Sequence, residues 1–273
     1  MRYRGLLPIF LGIILVACSA RPPAPPPPQA IDLPKGSGQG IDLATDVSER
    51  LDELKQNRLD FVARYYRPPE SRWPALSVGE AQLLSGLGVK IVAVWEWHSR
   101  YATHFNYATG YDDAVMAYRQ AKAVGQPAGS AIYFAVDFDA RSLAPIDEYF
   151  RGVAAGLAAA SGGNPDYTIG VYGSGAVCSA IKQAHLAQYT WLSNSSAWAE
   201  SLGYDDWNIR QGGRSLPLSF NHDFDETKDE YGAFLLAGYD KTASAISGPR
   251  DHNPPQKPPE QQQAQASALI PLR

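Results

Sequence analysis

Residues 131–139 read AIYFAVDFD, an apolar run of strand length that ends in two aspartates. Seven more runs of this kind occur in the chain, and amphipathic segments with a helical period lie between several of them. The other runs begin at Gly40, Phe61, Val89, Tyr167, Thr190, Asn208 and His222. The helical segments cover residues 48–58, 78–87, 111–124 and 146–160. Strands that alternate with helices are typical of a parallel sheet, so we predict an α/β protein.

Eight strand–helix units between residues 38 and 247 predict a (β/α)8 TIM-like barrel, with short or missing helices in the last units. A doubly wound open sheet is the competing fold, because both architectures bury their strands on both faces. Polar residues near the carboxyl ends of separate runs favour the barrel, since those ends converge on one mouth. These residues are Asp42, Arg64, Glu96, Asp137, Asp139, Asn194, Gln211 and Asp223.

The carboxylates among them suggest chemistry on sugars. Asp137 and Asp139 are two positions apart, so on a strand their side chains leave the same face. Like charges at that separation raise the pKa of one group, and a protonated acid beside an ionised carboxylate is what cleaves glycosidic bonds. Asp42 and Asp223 come from the first and last strands and become neighbours if the barrel closes. The predicted site is therefore a rim of four carboxylates.

Two other roles compete for these residues. Capping of a helix or turn explains many single aspartates, and we assign Asp46 and Asp147 to it. Residues 137–139 and 223–225 have the pattern Asp-x-Asp, which offers oxygen ligands to calcium or magnesium, but neither lies in an EF-hand-like loop. We therefore predict that the protein needs no metal and no cofactor.

The chain is rich in aromatic residues, with 6 tryptophans and 15 tyrosines. Sugars present apolar C–H faces that stack on such rings, whereas core packing is the alternative use. Of Trp95 and Trp191, whichever points outward from the barrel belongs to the core. The predicted substrate-binding residues are Arg64, Tyr65, Trp97, Tyr172, Trp198 and Gln211.

Composition excludes several classes of protein. The chain has 24 basic and 28 acidic residues and a net charge of -4, so it lacks the basic surface that nucleic acids require. Its two cysteines are too few for a disulfide framework or an all-cysteine zinc site. We expect a conventional hydrophobic core, with Cys178 as a small buried residue in it.

The amino-terminal end carries export and anchoring signals. Residues 1–17 combine two arginines with an apolar run that is short for a membrane span, which predicts a signal peptide. Residues 15–18 read LVAC and resemble the lipobox of bacterial lipoproteins, which implies that Cys18 is lipidated and anchors the protein in a membrane. Ser19 follows instead of Asp, which favours the outer membrane over the inner one. A plain secretory signal with a chance cysteine is the alternative.

The two ends outside the domain have the composition of tails. Residues 18–37 are proline-rich and predict an extended tether on the periplasmic side of the cell envelope. Residues 248–273 are rich in proline and glutamine and contain few apolar side chains, which predicts disorder. The folded domain is expected to cover residues 38–247.

An ordered series of motifs resembles a known family. They are residues 40–42 (GID), 61–65 (FVARY), 132–139 (IYFAVDFD), 169–173 (IGVYG), 191–192 (WL), Gln211 and 222–225 (HDFD). Together they resemble the bacterial glycoside-hydrolase-like family called domain of unknown function 1906, over residues 38–240. That family is similar to the family 25 lysozymes, which have a TIM-like barrel and cut the glycan strand of peptidoglycan.

The resemblance implies roles for four aspartates. Family 25 lysozymes use a first-strand Asp, an Asp-x-Glu pair with the Glu as general acid, and a late Asp. By position these roles fall on Asp42, Asp137, Asp139 and Asp223. The Asp139 side chain is one methylene shorter than Glu, which leaves its carboxyl about 1 Å short of the leaving oxygen. Glu96, on the neighbouring strand, has the longer side chain and could bring a carboxyl to the leaving oxygen instead.

Two functions follow from this pattern. The first is a lipid-anchored glycosidase of the cell envelope that acts on peptidoglycan or a related glycan. Asp139 or Glu96 donates the proton in that hypothesis, and Asp137 stabilises or attacks the sugar cation. The second is a catalytically inactive barrel that binds cell-wall glycan or a protein partner, and the missing Glu favours it.

Overall fold

The computed structural model describes residues 38–239, which form a closed barrel of eight strands with helices outside it. The strands are β1 (Gly38–Asp42), β2 (Phe61–Tyr66), β3 (Lys90–Trp95), β4 (Ala131–Ala135), β5 (Thr168–Gly173), β6 (Tyr189–Leu192), β7 (Ile209–Gly212) and β8 (Asp223–Thr227). The helices are α1 (Leu51–Gln56), α2 (Val78–Gly86), α3 (Tyr107–Val124), α4 (Ala144–Ala160) and α5 (Gly175–Gln183), with a short 3₁₀ helix at Ala102–His104. The predicted signal peptide (1–17), Cys18, the tether (18–37) and the tail (248–273) lie outside the described residues.

Closure of the barrel confirms the predicted TIM-like fold over the open sheet. Strands β1 to β7 pair in parallel in sequence order, and β1 also pairs with β8. The last units are reduced as expected, because in the described part of the chain no helix separates β6 from β7 or β7 from β8.

The direction of β8 corrects the sequence interpretation. We expected a parallel sheet throughout, but β8 runs antiparallel to both β7 and β1. A parallel neighbour needs a crossover of about a dozen or more residues, which residues 193–208 provide between β6 and β7, whereas only residues 213–222 separate β7 from β8. Asp223 therefore opens β8 instead of ending it, and the reversal still places it at the mouth, opposite Asp42.

Two layers of apolar side chains hold the barrel. One fills its interior, and the other packs between the strands and the helices. In the interior, glycines make room for large rings on the next strand. A Cβ at Gly40 would lie 2.5 Å from the ring of Phe61, and a Cβ at Gly170 would lie 2.4 Å from the ring of Tyr133. Cys178 is buried as predicted, and burial raises the pKa of its thiol to about 12.

The segment after β8 covers the bottom of the barrel, where β1 to β7 begin. Its residue Tyr231 packs on Phe61 with ring centroids 5.3 Å apart, and its backbone carbonyl accepts a 2.8 Å hydrogen bond from the Tyr133 hydroxyl. Three residues later, Phe234 forms an antiparallel bridge with Ile91. The mouth lies at the opposite end.

The two aspartates assigned to capping behave differently. Asp46 accepts a 2.7 Å hydrogen bond from the backbone N–H of Ser48, in the turn before α1. Asp147 lies in the first turn of α4 and pairs with Arg151 at 2.7 Å, while Leu143 occupies the cap position, so the prediction that Asp147 caps the helix was wrong.

Among the helices of residues 38–239, none has the length and apolar character to cross a membrane.

Candidate active site

Acidic and polar side chains converge at the mouth of the barrel. Side chains alternate along a strand, so one face of every barrel strand points inward. At the mouth, polar groups occupy inward positions of β1, β2, β5, β7 and β8 and positions that follow β3 and β4. They are Asp42, Tyr65, Glu96, Asp137, Tyr172, Gln211 and Asp223. Each of these residues was predicted as catalytic or substrate-binding, and the barrel brings all of them to one end.

A hydrogen-bond network surrounds Asp42. The Tyr65 hydroxyl donates to Asp42 Oδ1 at 2.6 Å, and Gln211 Nε2 donates to Asp42 Oδ2 at 2.8 Å. The Tyr172 hydroxyl then donates to Gln211 Oε1 at 3.1 Å. Side chains from β1, β2, β5 and β7 are thereby fixed relative to one another across the mouth.

Asp225 is a member of the site that the sequence interpretation missed. It is fully buried beneath Asp42 and Asp223, and its Oδ1 accepts a 2.9 Å hydrogen bond from Trp191 Nε1. Among the described residues, no N–H or hydroxyl group donates a hydrogen bond to its Oδ2, whereas the carboxyl of Asp42 is close enough to share a proton with Asp225. The signal was present in the sequence, because Asp223 and Asp225 are two apart and share a strand face.

Burial perturbs the two neighbouring carboxyls strongly. The pKa of Asp42 is raised to about 6 by burial, against the opposing effect of its hydrogen bonds from Tyr65 and Gln211. The pKa of Asp225 is raised well above its ordinary value, first by burial and then by the charge of Asp42. The two carboxyls therefore favour a state that retains a proton, as close acidic pairs do.

Glu96 stands just beyond the end of β3. Its Oε1 accepts a 3.1 Å hydrogen bond from the Ser99 hydroxyl, and its Oε2 lies 3.6 Å from Arg67 Nη2. Burial raises the pKa of Glu96, the charge of Arg67 lowers it, and the charge of Asp137 raises it. A carboxyl in this environment holds its proton to a higher pH than an exposed one, as a general acid must.

Asp137 and Asp139, which the sequence places on one face of a strand, are held by different partners. Asp137 Oδ2 accepts a 2.6 Å hydrogen bond from Arg100 Nε. Asp139 accepts hydrogen bonds at 2.7 Å from Arg141 Nε and at 2.9 Å from the backbone N–H of Ala199. The bond from Ala199 is the main cause of a lowered pKa at Asp139. Because β4 ends at Ala135, strand alternation no longer sets the direction of the Asp139 side chain.

Arg64 is a second correction, because it does not face the mouth. Its guanidinium is fully buried outside the barrel, where it donates to Glu80 at 2.6 and 3.0 Å and to the carbonyl of Leu43 at 3.0 Å. Tyr65 takes the inward position, so its neighbour Arg64 must point outward. Arg64 anchors α2 to the strands and does not bind substrate.

The predicted tryptophans divide between core and mouth. Trp95 points outward into the layer under the helices, whereas Trp191 lies inside the barrel with its ring centroid 5.3 Å from that of Tyr172. Trp97 is half-buried and lines a cavity beside Glu96. Trp198 is half-buried in the loop after β6, next to the residue that binds Asp139.

Within residues 38–239, no group of three or more His, Cys, Asp or Glu side chains is arranged to hold a metal ion. The side chains at the mouth supply carboxyl, hydroxyl, amide and guanidinium groups. Carboxyls with raised pKa values beside ion-paired carboxylates are suited to acid–base catalysis.

A closed β/α barrel that gathers carboxylates at the carboxyl ends of its strands defines the class of glycoside-hydrolase-like barrels. A family model refines the assignment, since the Rv2525c-like, glycoside hydrolase-like domain matches residues 52–243. The chain belongs to that family.

Two curated relatives and one solved structure are similar to this chain. The uncharacterized Bacillus subtilis (strain 168) protein YbfG is 28% identical over 230 residues, which are 79% of this chain and 31% of that protein. The uncharacterized protein FadG of the same strain is 27% identical over 203 residues, 71% of this chain and 32% of that protein. This chain thus spans about a third of the length of both relatives.

The solved structure is the Mycobacterium tuberculosis Tat-secreted protein Rv2525c in complex with HEPES. It is 22% identical, with a TM-score of 0.59 over 72% of this chain and 98% of that one. At this identity the similarity establishes a shared fold, and activity has to be argued from the site.

Proposed function

We propose that this barrel is a glycoside hydrolase of the bacterial cell envelope that acts on peptidoglycan or a related glycan. The observation that carries the proposal is the pairing of Glu96 and Asp137 at the mouth. Burial raises the pKa of Glu96, while Asp137 is held as an ion pair by Arg100. Glycosidic cleavage requires one carboxyl that donates a proton and one ionised carboxylate, and the two environments suit these two roles.

In this mechanism Glu96 protonates the leaving oxygen, and Asp137 attacks or stabilises the sugar cation. Asp42, Tyr65, Tyr172 and Gln211 form a rigid polar wall beside the reacting sugar, since each is tied to the next by a hydrogen bond. Fixed polar groups of this kind position a substrate without having to reorganise during the reaction.

Asp139 is the other candidate donor, because it occupies the position of the Glu in family 25 lysozymes. Its carboxylate accepts hydrogen bonds from Ala199 and Arg141, and its pKa is lowered. A group stabilised in its ionised form is a poor proton donor at neutral pH. We therefore assign the role of proton donor to Glu96.

We place the protein in the cell envelope, anchored through lipid on Cys18 and facing the periplasm, with the outer membrane favoured. The sequence of residues 1–19 supports this location. The similar M. tuberculosis protein is described as Tat-secreted, which agrees with an exported domain.

A non-catalytic, glycan-binding barrel is the second candidate, favoured by the engagement of Asp139 with Arg141 and Ala199. Purified protein incubated with insoluble peptidoglycan separates the two. Hydrolysis predicts new reducing ends and soluble fragments by mass spectrometry, both lost in Asp137→Asn with an unchanged melting temperature. Sedimentation with peptidoglycan without any fragments would support the binding module, and activity that survives Asp137→Asn would contradict the assigned role.

A further inference from the structure

A cavity of about 460 Å³ opens beside Glu96, between the segments that follow β2 and β3. Its charged lining consists mainly of arginines, namely Arg67, Arg72 and Arg100, against Glu70 and Glu96. The volume falls in the range of small-ligand sites. Arg100 pairs with Asp137 and Arg67 lies at ion-pair distance from Glu96, so a preference for an acidic ligand depends on N–H groups that these pairs leave unused.

Arg67 carries hydrogen-bonding capacity that the described part of the protein does not use. Its side chain is only 11% exposed, and its buried Nε has no hydrogen-bond partner within residues 38–239. Its Nη2 is 3.6 Å from Glu96 Oε2, which is an ion-pair distance but longer than a hydrogen bond. Because Nε is buried, an acceptor that enters the cavity would be bound by the other N–H groups of Arg67, which belongs to the lining and makes only a long contact with Glu96.

The fold holds Arg67 in place independently of Glu96. Gln120 on α3 accepts a 2.9 Å hydrogen bond from the Arg67 backbone N–H and donates one to its carbonyl. The guanidinium carbon lies 4.4 Å from the centre of the Tyr65 ring. Stacking covers a face of the guanidinium and leaves its N–H edge as the part that can bind a ligand.

Aromatic rings border the same cavity. Trp73 is 45% exposed and Tyr101 is 63% exposed, and both belong to the lining together with Trp97. Exposed rings beside a charged pocket suit a ligand that has an apolar face and an acidic group. A pyranose ring with a carboxylate substituent has both.

We propose that this cavity binds a carboxylate-bearing sugar of the glycan, with Arg67 receiving the carboxylate and Trp73 stacking on the sugar ring. The proposal rests on the glycan-directed function above and narrows its substrate class to acidic glycans. A planar guanidinium matches the two oxygens of a carboxylate better than any other side chain. The free lactyl group of a peptide-free muramic acid unit and the carboxyl of a uronic acid share this chemistry.

Isothermal titration calorimetry with the full protein at pH 7 tests the proposal with two matched pairs of ligands. One pair is a peptide-free N-acetylglucosamine–N-acetylmuramic acid tetrasaccharide and its carboxyl-reduced counterpart. The other is an oligogalacturonate and its carboxyl-reduced counterpart. We expect the acidic member of at least one pair to bind about tenfold or more tightly than the neutral member, and the pair that shows the difference identifies the source of the carboxylate.

Variants distinguish the contribution of the Arg67 charge from that of the Trp73 ring. Arg67→Gln should abolish the preference for the acidic member, whereas Trp73→Ala should weaken both members by a similar factor. Arg119→Gln removes an exposed arginine of α3 outside the lining and should leave the preference unchanged. If Arg67→Gln does not fold, the comparison of ligands on the unmodified protein and on Arg72→Gln, which is expected to reduce the preference, still decides the question.

Equal binding of the acidic and neutral members in both pairs would overturn the proposal, as would an undiminished preference in a folded Arg67→Gln variant. These measurements need no turnover. Acid-selective binding without hydrolysis would therefore support the carboxylate site and contradict the hydrolase proposal. Hydrolysis without acid selectivity would support the hydrolase proposal and contradict the carboxylate site.

Discussion

Gln211 on β7 donates a 2.8 Å hydrogen bond to Asp42 on β1, although 169 positions separate the two residues in the chain. The strand between them is β8, in which Asp225 pairs with Gln211 on one side and with Gly40 on the other. The closing strand of the barrel thus carries a buried carboxyl between Gln211 and Gly40, next to Asp42. The free energy of unfolding should therefore depend on the protonation of Asp42 and Asp225.

The Asp42–Asp225 pair should make the protein less stable as the pH rises. Burial raises the pKa of Asp42 from 3.8 to about 6, so the stabilisation from its neutral form is complete below about pH 4 and is lost as the pH rises through 6. Asp225→Asn keeps an oxygen for Trp191 and removes the like charge. Because the raised pKa of Asp225 is removed together with its carboxyl, this variant should lose less unfolding free energy than the wild type between pH 4 and pH 7.5, measured by urea denaturation.

Asp223→Asn is the matched control, because Asp223 lies on the same face of β8 but is exposed. Its unfolding free energy should depart from that of the wild type less than that of Asp225→Asn does, because the charge of Asp223 contributes less than burial to the raised pKa of Asp42 and Asp225. A constant difference between Asp225→Asn and wild type at every pH would show that the pKa of Asp225 is the same in the folded and the unfolded protein.

Glu96→Gln should reduce turnover of the glycan far more than Asp139→Asn does. Loss of the general acid lowers kcat by about 10²- to 10⁴-fold, whereas Asp139 is engaged with Arg141 and Ala199. Initial rates of reducing-end release from the same peptidoglycan preparation provide the comparison. The reverse order of the two losses would transfer the donor role to Asp139.

Glu80→Gln should destabilise the fold although Glu80 lies outside the mouth. The substitution leaves the buried guanidinium of Arg64 without its counter-charge, a loss of about 3–5 kcal/mol in the free energy of unfolding. Glu49→Gln, at an exposed position ahead of α1, should change stability by less than about 0.5 kcal/mol. The double variant Arg64→Met/Glu80→Leu removes both charges and should be more stable than Glu80→Gln. If it is not, the loss of unfolding free energy in Glu80→Gln comes from altered packing and not from the unpaired charge of Arg64.

Gly170→Ala should strain the interior of the barrel. The added methyl would lie 2.4 Å from the buried ring of Tyr133, and overpacking of this kind costs about 1–3 kcal/mol. Gly203→Ala, where no atom lies within 4 Å of the new methyl, is the control and should be nearly neutral. Melting temperatures that fall equally in both variants would mean that the contact with Tyr133 is not responsible.

The sequence predicted the barrel and most of the mouth because both follow from strand periodicity. Once strand positions are known, alternation assigns Asp42 and Tyr65 to the same interior. The face that points inward could not be read from residues 61–66, because a barrel strand is buried on both sides and shows no contrast between them. Arg64 was therefore placed in the mouth when it lies under α2.

The remaining errors arise at strand ends and in short strands. Alternation predicts the direction of a side chain only while the strand continues, and β4 stops at Ala135, four positions before Asp139. A run as short as residues 222–225 carries no information on strand direction, which depends on the connection before it. The importance of Asp225 depends on burial beneath Asp42, a tertiary contact that spacing alone does not specify.

The position of Gly38 determines how the protein can be presented to a large insoluble polymer. Gly38 begins β1 at the covered bottom of the barrel, whereas Asp42 ends it at the mouth. A support coupled to the amino-terminal side of Gly38 is therefore joined to the end away from the carboxylates. Beads or sensor surfaces that capture the protein through that side would leave its working end oriented outward.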